Sequence, residues 1–403
     1  LVSHKIFRLS RTIFRKLEYI NTKREITRQL SGLSVYAPVP ENSYILTNSI
    51  NADSLIQIGE QPYFIHKRRN GCDWFFLGGG KVADLDSPVT DREFNLDGIF
   101  AKIIPFAMFF QYIHPVNRDL CANLIIDDPS LTRRYGFIDY QEISNLVRKE
   151  NFAVTIAFIP WNYKRSNRKT VDLFRANSDR LSICVHGCDH VGGEFGSADS
   201  EVLNWKCSLA RERMQYHRNH FGLPYDNVVV FPQGIFSERS MIVLRDHGFA
   251  AAVNSEYFPN DYSGGLKLRH MISPWIDHYG LPLMLRRYPD RIEDFACDLF
   301  FGRPALIVRH NADFADGWDE LVSFIGRLNR IEPNLQWMPL GKVVDKMVPF
   351  TQPVARDKAI PKARRGRYTI KSYLQSALRR SYCDIRDNYL CKSRTLRNFL
   401  YRK

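Results

Sequence analysis

Apolar and polar positions change rhythm along this chain, and the changes divide it. From about 120 to 348, short apolar runs alternate with stretches whose apolar residues recur every three or four positions. That is the pattern of strands joined by crossover helices, hence of an α/β fold built on a parallel sheet. Strands are expected at 124–126, 153–159, 181–185, 228–231, 249–253 and 305–308, with a late extended piece at 337–339. Helices are expected at 140–149, 202–220, 237–247 and 319–330. Upstream, 43–47, 54–58, 62–66 and 73–77 are short β-prone runs, and Arg69-Asn70-Gly71 is a hairpin turn signal between the last two. Gly78-Gly79-Gly80 allows a turn, but no Lys-Ser/Thr follows to make it a phosphate loop. In residues 5–30, Ile6, Phe7, Ile13, Phe14, Leu17 and Ile20 fall at near-helical spacing, which predicts a helix. After Pro349 and Pro353, a basic linker (356–367) leads to a basic helical segment (369–402). The expected division is therefore 1–115, an N-terminal helix plus β-rich region; 116–348, the α/β unit; and 349–403, the linker and helical tail.

Composition narrows the class. At 403 residues, 44% hydrophobic and 25% charged, the chain has the make-up of a globular protein of more than one unit. No apolar run approaches the roughly 20 residues of a membrane span; the longest, 99–113, is interrupted by Lys102, Pro105 and Gln111. The basic N-terminus has no central apolar block, so no secretory signal is visible. The chain starts at Leu1 rather than Met, which leaves open that it is a piece of a longer protein. Its eight cysteines form no C-x-x-C pair and read as reduced thiols, so a cytoplasmic placement, peripheral to the membrane at most, is expected. The net charge of +14 is uneven: residues 1–30 carry +6, residues 351–403 carry +12, and the remainder is −4. The centre is thus unsuited to nucleic acid, and the tail is the candidate for an anionic membrane surface.

The chemistry-bearing residues sit in the α/β unit. An apolar run ends in Asp127-Asp128, so a buried strand delivers two carboxylates to its C-terminal end, where α/β folds place their chemistry. About sixty residues on comes His186-Gly187-Cys188-Asp189-His190. A carboxylate and two histidines suffice for a divalent ion, zinc first, that keeps a position open. The second aspartate is then free to act as a base. Cys188, inside the motif, reads as a small buried residue rather than a ligand.

Ile125-Ile126-Asp127-Asp128-Pro129 resembles the first motif of the polysaccharide deacetylase (NodB-homology, carbohydrate esterase) family, usually Thr-Phe-Asp-Asp-Gly. His186 to His190 resembles its His-x-x-x-His motif, and Phe231-Pro232-Gln233-Gly234 part of its Arg-x-Pro-Tyr/Phe-Gly motif. Val308-Arg309-His310 sits where Leu-x-His is expected. The resemblance covers about 120–345. It implies a distorted (β/α) barrel with Asp128, His186 and His190 as metal ligands, Asp127 as base and His310 as acid. Pro232, Gln233 and Gly234 would then help hold the oxyanion, and Trp161 and Trp275 would meet the sugar. Arg165 and Arg168 read either as solvated charges or as contacts to an anionic group. The implied function is a metal-dependent carbohydrate deacetylase, hydrolysing an N-acetyl or O-acetyl group on a cell-surface polysaccharide or its precursor. The alternative is a catalytically weak protein of the same fold that binds glycan or regulates a partner enzyme. The chain departs from the family pattern in three places. Val230 stands where the third-motif arginine pairs with the base, so Asp127 is expected to titrate higher unless Arg133, Arg134 or Arg309 replaces it. Pro129 replaces a glycine, and the Asp-x-x-Asp-Trp motif has no counterpart other than Trp275 with Asp277.

Overall fold

The computed structural model describes residues 6–8, 13–20, 24–39, 44–46, 52–78, 84–89, 97–115, 119–348 and 370–393. Gly79-Gly80, the linker at 356–367 and the chain beyond 393 lie outside the described residues.

The N-terminal region is built on an antiparallel sheet. Strands β1 (Ile6–Arg8) and β4 (Tyr44–Leu46) pair with each other. Strands β2 (Ile13–Tyr19), β3 (Ser34–Val39), β5 (Asp53–Ile58), β6 (Gln61–Arg69) and β7 (Cys72–Leu77) form a sheet in the order β3-β2-β5-β6-β7. The hairpin turn at Asn70-Gly71 has both residues at positive φ, as its sequence predicts. The helix expected in residues 5–30 is a correction: among the described residues β1 and β2 are strands, with only α1 (Arg24–Thr27) and a 3₁₀ turn helical. Apolar residues four apart satisfy a two-residue as well as a 3.6-residue period. In β2, Leu17 and Tyr19 are buried, Lys16 before them is exposed and Glu18 between them is half-buried, and β3 and β5 take up the strand's backbone groups.

Helices α2 (Asp97–Lys102) and α3 (Ile104–Ile113) complete this region. Its core joins Leu17, Tyr63, Ile99, Phe100 and Met108 to Ala296, Cys297 and Phe300 of α9 (Ile292–Phe300), a helix of the next unit. The two units therefore share one apolar interface.

The second unit winds strands and helices alternately. Its strands are β8 (Cys121–Asp127), a small hairpin of β9 (Arg134–Tyr135) with β10 (Ile138–Asp139), β11 (Val154–Phe158), β12 (Leu181–His186), β13 (Asp226–Val230), β14 (Ala251–Asn254), β15 (Ile276–His278), β16 (Leu281–Leu285), β17 (Ala305–His310) and β18 (Gln336–Trp337). Its helices are α4 (Tyr140–Lys149), α5 (Arg168–Ala176), α6 (Ser200–Phe221), α7 (Glu238–Asp246), α8 (Leu268–Met271), α9, α10 (Asp319–Ile331) and α11 (Leu340–Met347). The principal sheet order is β15-β16-β14-β13-β12-β11-β8-β17, all parallel except β15, with β18 also on β8. The sheet curls so far that its ends meet. Among the described residues one bridge joins them, with Arg287 N–H donating to the Leu306 carbonyl and Val308 N–H to that of Arg287, both at 2.9 Å. It is a curled sheet with a one-residue seam, where the sequence implies a distorted barrel.

Side chains alternate between two cores, as the two-residue period of a strand requires. Leu124, Ile126, Ile156 and Val229 face the surrounding helices. Cys121, Ile125, Cys184, Val228, Val230, Met284 and Leu306 face the inside of the curl, stopped at one end by Leu340, Val343 and Val344 of α11. Continuing the inward parity to the strands' C-terminal ends brings Asp127, His186, Val230, Arg286 and His310 to the opposite mouth. Among the described residues no helix is long and apolar enough to cross a membrane.

Helix α12 (Ile370–Asn388) crosses that mouth. Its buried face is Ser376, Arg380, Cys383 and Asp387, and its exposed face is Leu374, Leu378, Tyr382, Ile385 and Tyr389. The mouth is polar and takes the helix's polar side, which leaves the apolar stripe turned outward. Asp387 accepts from the Tyr135 hydroxyl (2.8 Å), Asn388 from Gly136 N–H (2.8 Å), and Arg165 pairs with Asp384 (2.8 Å). Gly136 must be glycine there, since a Cβ would collide with Asn311 and the Asp387 carbonyl.

Candidate metal and catalytic site

Five inward positions define the mouth, and the strands that reach it explain which residues meet. Asp127 is the last residue of β8 and is buried. Directly after it the backbone turns left-handed at Asp128 (φ 82°), a strained conformation for a non-glycine residue. That turn aims two consecutive carboxylates into one cavity. His186 ends β12, just past a register shift between Cys184 and Val185. Irregularities of this kind re-aim side chains near active sites. Its Nδ1 lies 3.0 Å from the Val230 carbonyl, which fixes the ring and leaves Nε2 facing the cavity. His190 is also left-handed (φ 56°).

The three candidate ligands converge. His190 Nε2 is 3.2 Å and His186 Nε2 3.5 Å from Asp128 Oδ1, and the three ligand atoms lie within 4.8 Å of one another. Two ligands each ~2.1 Å from a tetrahedral ion are separated by about 3.4 Å, so the two spacings to Asp128 fit a zinc-sized cation. Asp128 Oδ1 is buried and has no hydrogen-bond donor. A buried carboxylate oxygen in that condition is costly unless a cation meets it. Burial pushes the Asp128 carboxyl up, but His190 and His186 more than reverse this and hold it well below its ordinary value.

Glu194 is the residue that sequence reasoning missed in this loop. Its buried carboxylate accepts from the N–H groups of Cys188 (2.8 Å), Asp189 (3.1 Å) and His190 (3.0 Å). Asp189 beside it is tied to Lys206 (2.6 Å) and Arg213 (2.5 Å) of α6. The histidine loop is thus clamped from below by ion pairs. Gly187 is required because a Cβ would strike Glu194 and Pro232. Cys188 is a buried thiol against Arg213 and Asp189, outside the ligand cluster.

The other functional residue missed is Arg286, immediately after β16. Its guanidinium holds Asp127 in a two-pronged buried ion pair, at 2.6 and 2.7 Å. Arg133, Arg134 and Arg309 do not fill this role: Arg134 pairs with Asp139, Arg309 reaches Glu320, and no pairing of Arg133 with Asp127 occurs. The expected upward shift of Asp127 is likewise corrected. Burial pushes its carboxyl up, but the charges of Arg286 and His186 outweigh that and leave it below the ordinary value. Val230 has the inward parity of the family's arginine, and the charge arrives instead from another strand of the same ring. The signal was present in the chain: Leu281 to Leu285 is an apolar run ending in charge, as Leu124 to Ile126 is. Pro282 within it argues against a strand.

His310 ends β17, half-buried, with Nε2 3.7 Å from Asp127 Oδ2 and its ring stacked on Tyr288 (6.0 Å, 17°). Gln233, at φ 59°, lines the cavity and accepts from Gly193 N–H (3.1 Å). Pro232 is buried behind it, and Gly234 turns the chain at φ 70°. Trp161 and Trp275 do not line the cavity. Trp161 lies under the Arg213 guanidinium (5.1 Å), and Trp275 packs against the inner core. The cavity, about 230 Å³, is lined by Asp127, Asp128, His186, His190, Gln233 and His310 on the sheet side, and by α12 on the other.

No family model matches the chain, and no curated protein does. Solved structures do. The chain is similar to family 4 carbohydrate esterases. One from Bacillus anthracis is 13% identical, covering 57% of this chain and 84% of that one, with a TM-score of 0.36. One from Streptomyces lividans, in complex with acetate, is 13% identical over 54% of this chain and 91% of that one, at 0.32. A third, a family 4 pseudoenzyme from Bacillus anthracis, is 11% identical over 58% and 67%, at 0.35. Likeness at this level carries no argument about activity, which rests on the geometry above.

Proposed function

We propose that this chain is a metal-dependent hydrolase that removes an acyl group, N-acetyl first, from a carbohydrate. The observation that carries the reading is the convergence of the Asp128, His186 and His190 ligand atoms to within 4.8 Å beside a buried Asp127–Arg286 pair. A bound divalent ion, zinc by this donor set, supplies a polarised acyl carbonyl and a more acidic water. The chain's own residues do the rest. Asp127, kept ionised by Arg286, takes the proton of the attacking water. His310, exposed on one side and close to Asp127, gives a proton to the leaving nitrogen or oxygen. Gln233 and its turn, facing the cavity from a fixed left-handed conformation, stabilise the developing oxyanion.

Elemental analysis of the purified chain after zinc reconstitution tests the core of this. One equivalent is expected in the unaltered chain and less than a tenth in His186→Ala with His190→Ala. Acetate release from N-acetylated sugars should accompany the metal and fall at least 100-fold in Asp127→Asn. Metal and sugar binding with turnover indifferent to Asp127→Asn would favour the glycan-binding alternative. An unaltered chain that takes up no metal sinks both the metal site and the reaction.

The exposed face of α12 supports a second element of function, a membrane surface as partner. Leu374, Leu378, Tyr382, Ile385 and Tyr389 fall at spacings of four, four, three and four, and each is more than half exposed. They lie in a segment, 351–403, of net charge +12. An apolar stripe within basic sequence suits the interface of an anionic bilayer. The full chain should co-sediment with vesicles containing phosphatidylserine and not with phosphatidylcholine alone, and Leu378→Asp with Tyr382→Asp should abolish this. A concentration-dependent dimer that those substitutions dissolve, without vesicle binding, would assign the stripe to a second copy instead.

A further inference from the structure

The inner face of α12 brings cations to a site that already has enough. Arg379 and Arg380 line the cavity opposite Asp128, His186 and His190. Arg380 is 3% exposed, and its Nε has no hydrogen-bond partner. Burial works against its charge, and Asp128, Cys383 and Tyr135 more than restore it. Arg379 lies at the rim beside Gly192, and among the described residues no carboxylate pairs with it. The cavity's carboxylates are otherwise committed: Asp127 to Arg286, and Asp387 to Arg386 and the Tyr135 hydroxyl. Asp128 is then the one remaining carboxylate of the lining, and with no metal present it already faces two guanidinium groups across about 230 Å³. Like charges in a small, partly dry space are stable when an anion lies between them.

We infer that Arg379 and Arg380 form a subsite for an anionic group, and that the substrate is a small acylated sugar bearing a phosphate or carboxylate. Guanidinium is the side chain best shaped to bind either group, through paired N–H donors. The cavity lies below the roughly 300–1,000 Å³ of common small-molecule pockets, and α12 roofs it. A single terminal sugar therefore fits better than a stretch of polymer. The sugar in this inference rests on the deacylase reading, whereas the anion subsite does not.

Titration calorimetry on the metal-free full chain, where no turnover follows binding, reads the subsite directly. The probes are N-acetylglucosamine, N-acetylglucosamine 6-phosphate and N-acetylglucosaminuronic acid. At least one anionic sugar should bind tenfold or more tighter than the neutral one, and which one wins tells phosphate from carboxylate. Arg379→Gln with Arg380→Gln should bring that Kd to the neutral sugar's value and leave the neutral sugar unchanged. Arg379→Gln alone, at an exposed position that cannot unsettle the fold, should lose about threefold. Equal Kd values for all three sugars, no binding of either anionic sugar, or a preference that survives the double substitution would overturn the subsite. Because neither metal nor turnover enters the readout, loss of the metal site leaves this result standing, and the reverse holds too.

Discussion

At the scale of single residues, Arg286 decides what Asp127 can be. A buried carboxylate without a partner would hold its proton into the neutral range, and a base in that state is spent. With Arg286 it is ionised, and the sign of its linkage follows. Its folded pKa lies below the unfolded value of about 3.9, so the pair's contribution to stability is present above that pH. It is lost as pH falls through the folded value. Arg286→Met strands the carboxylate, and removing one partner of a buried pair costs about 3–5 kcal/mol. The acid limb of kcat/KM should then move to higher pH, because only His186 and His310 remain to oppose the upward push of burial on Asp127. Urea melts at neutral pH together with a pH–rate profile check both halves. An unmoved acid limb would mean that Asp127 is not the base. The sequence showed the vacancy at Val230, and Pro282 masked the strand that carries its replacement. The family pattern looks for the arginine on β13, whereas inward parity admits it from any strand of the ring.

At the scale of elements, apolar runs in the α/β unit placed most of its strands close to where they lie, because buried parallel strands leave near-continuous apolar runs, while helical periods found α4, α6, α7 and α10 and missed α5, α8, α9 and α11. Short windows failed at the N-terminus, where residues four apart fit two periods. Periodicity also gave α12 its stripe without saying which face is covered, since that depends on the mouth it meets. The Glu194 clamp is invisible to motif reasoning, being a lone acid in a glycine-containing loop whose role comes from three backbone donors. Glu194→Gln keeps the shape but gives up the charge that those N–H groups, Lys206 and Asp189 are organised around. Metal affinity should fall by roughly 10–100-fold, as for other outer-shell partners. Competition against a zinc chelator measures it, and an unchanged affinity would show that the loop holds its shape without the clamp.

At the scale of the whole molecule, the N-terminal sheet packs on α9 beside the curled sheet, and the tail helix crosses the curled sheet's mouth. The sheet's packing on α9 sits behind Arg287, whose guanidinium is anchored to Asp298 (2.6 Å) and Tyr257 (3.1 Å). Arg287 is also the residue whose two backbone bonds close the seam, and its neighbour is Arg286. Any breathing of the seam therefore pulls on the guanidinium that keeps Asp127 charged. Hydrogen exchange should reveal this coupling. The amides of Arg287 and Val308 should exchange by the same opening event, slowly in the unaltered chain. Asp298→Asn should speed both and lower turnover in parallel. Exchange at the seam that accelerates without any loss of turnover would separate the two. Where they move together, the weakest line of the ring is also its clock: how long the seam stays shut sets how long the base stays armed.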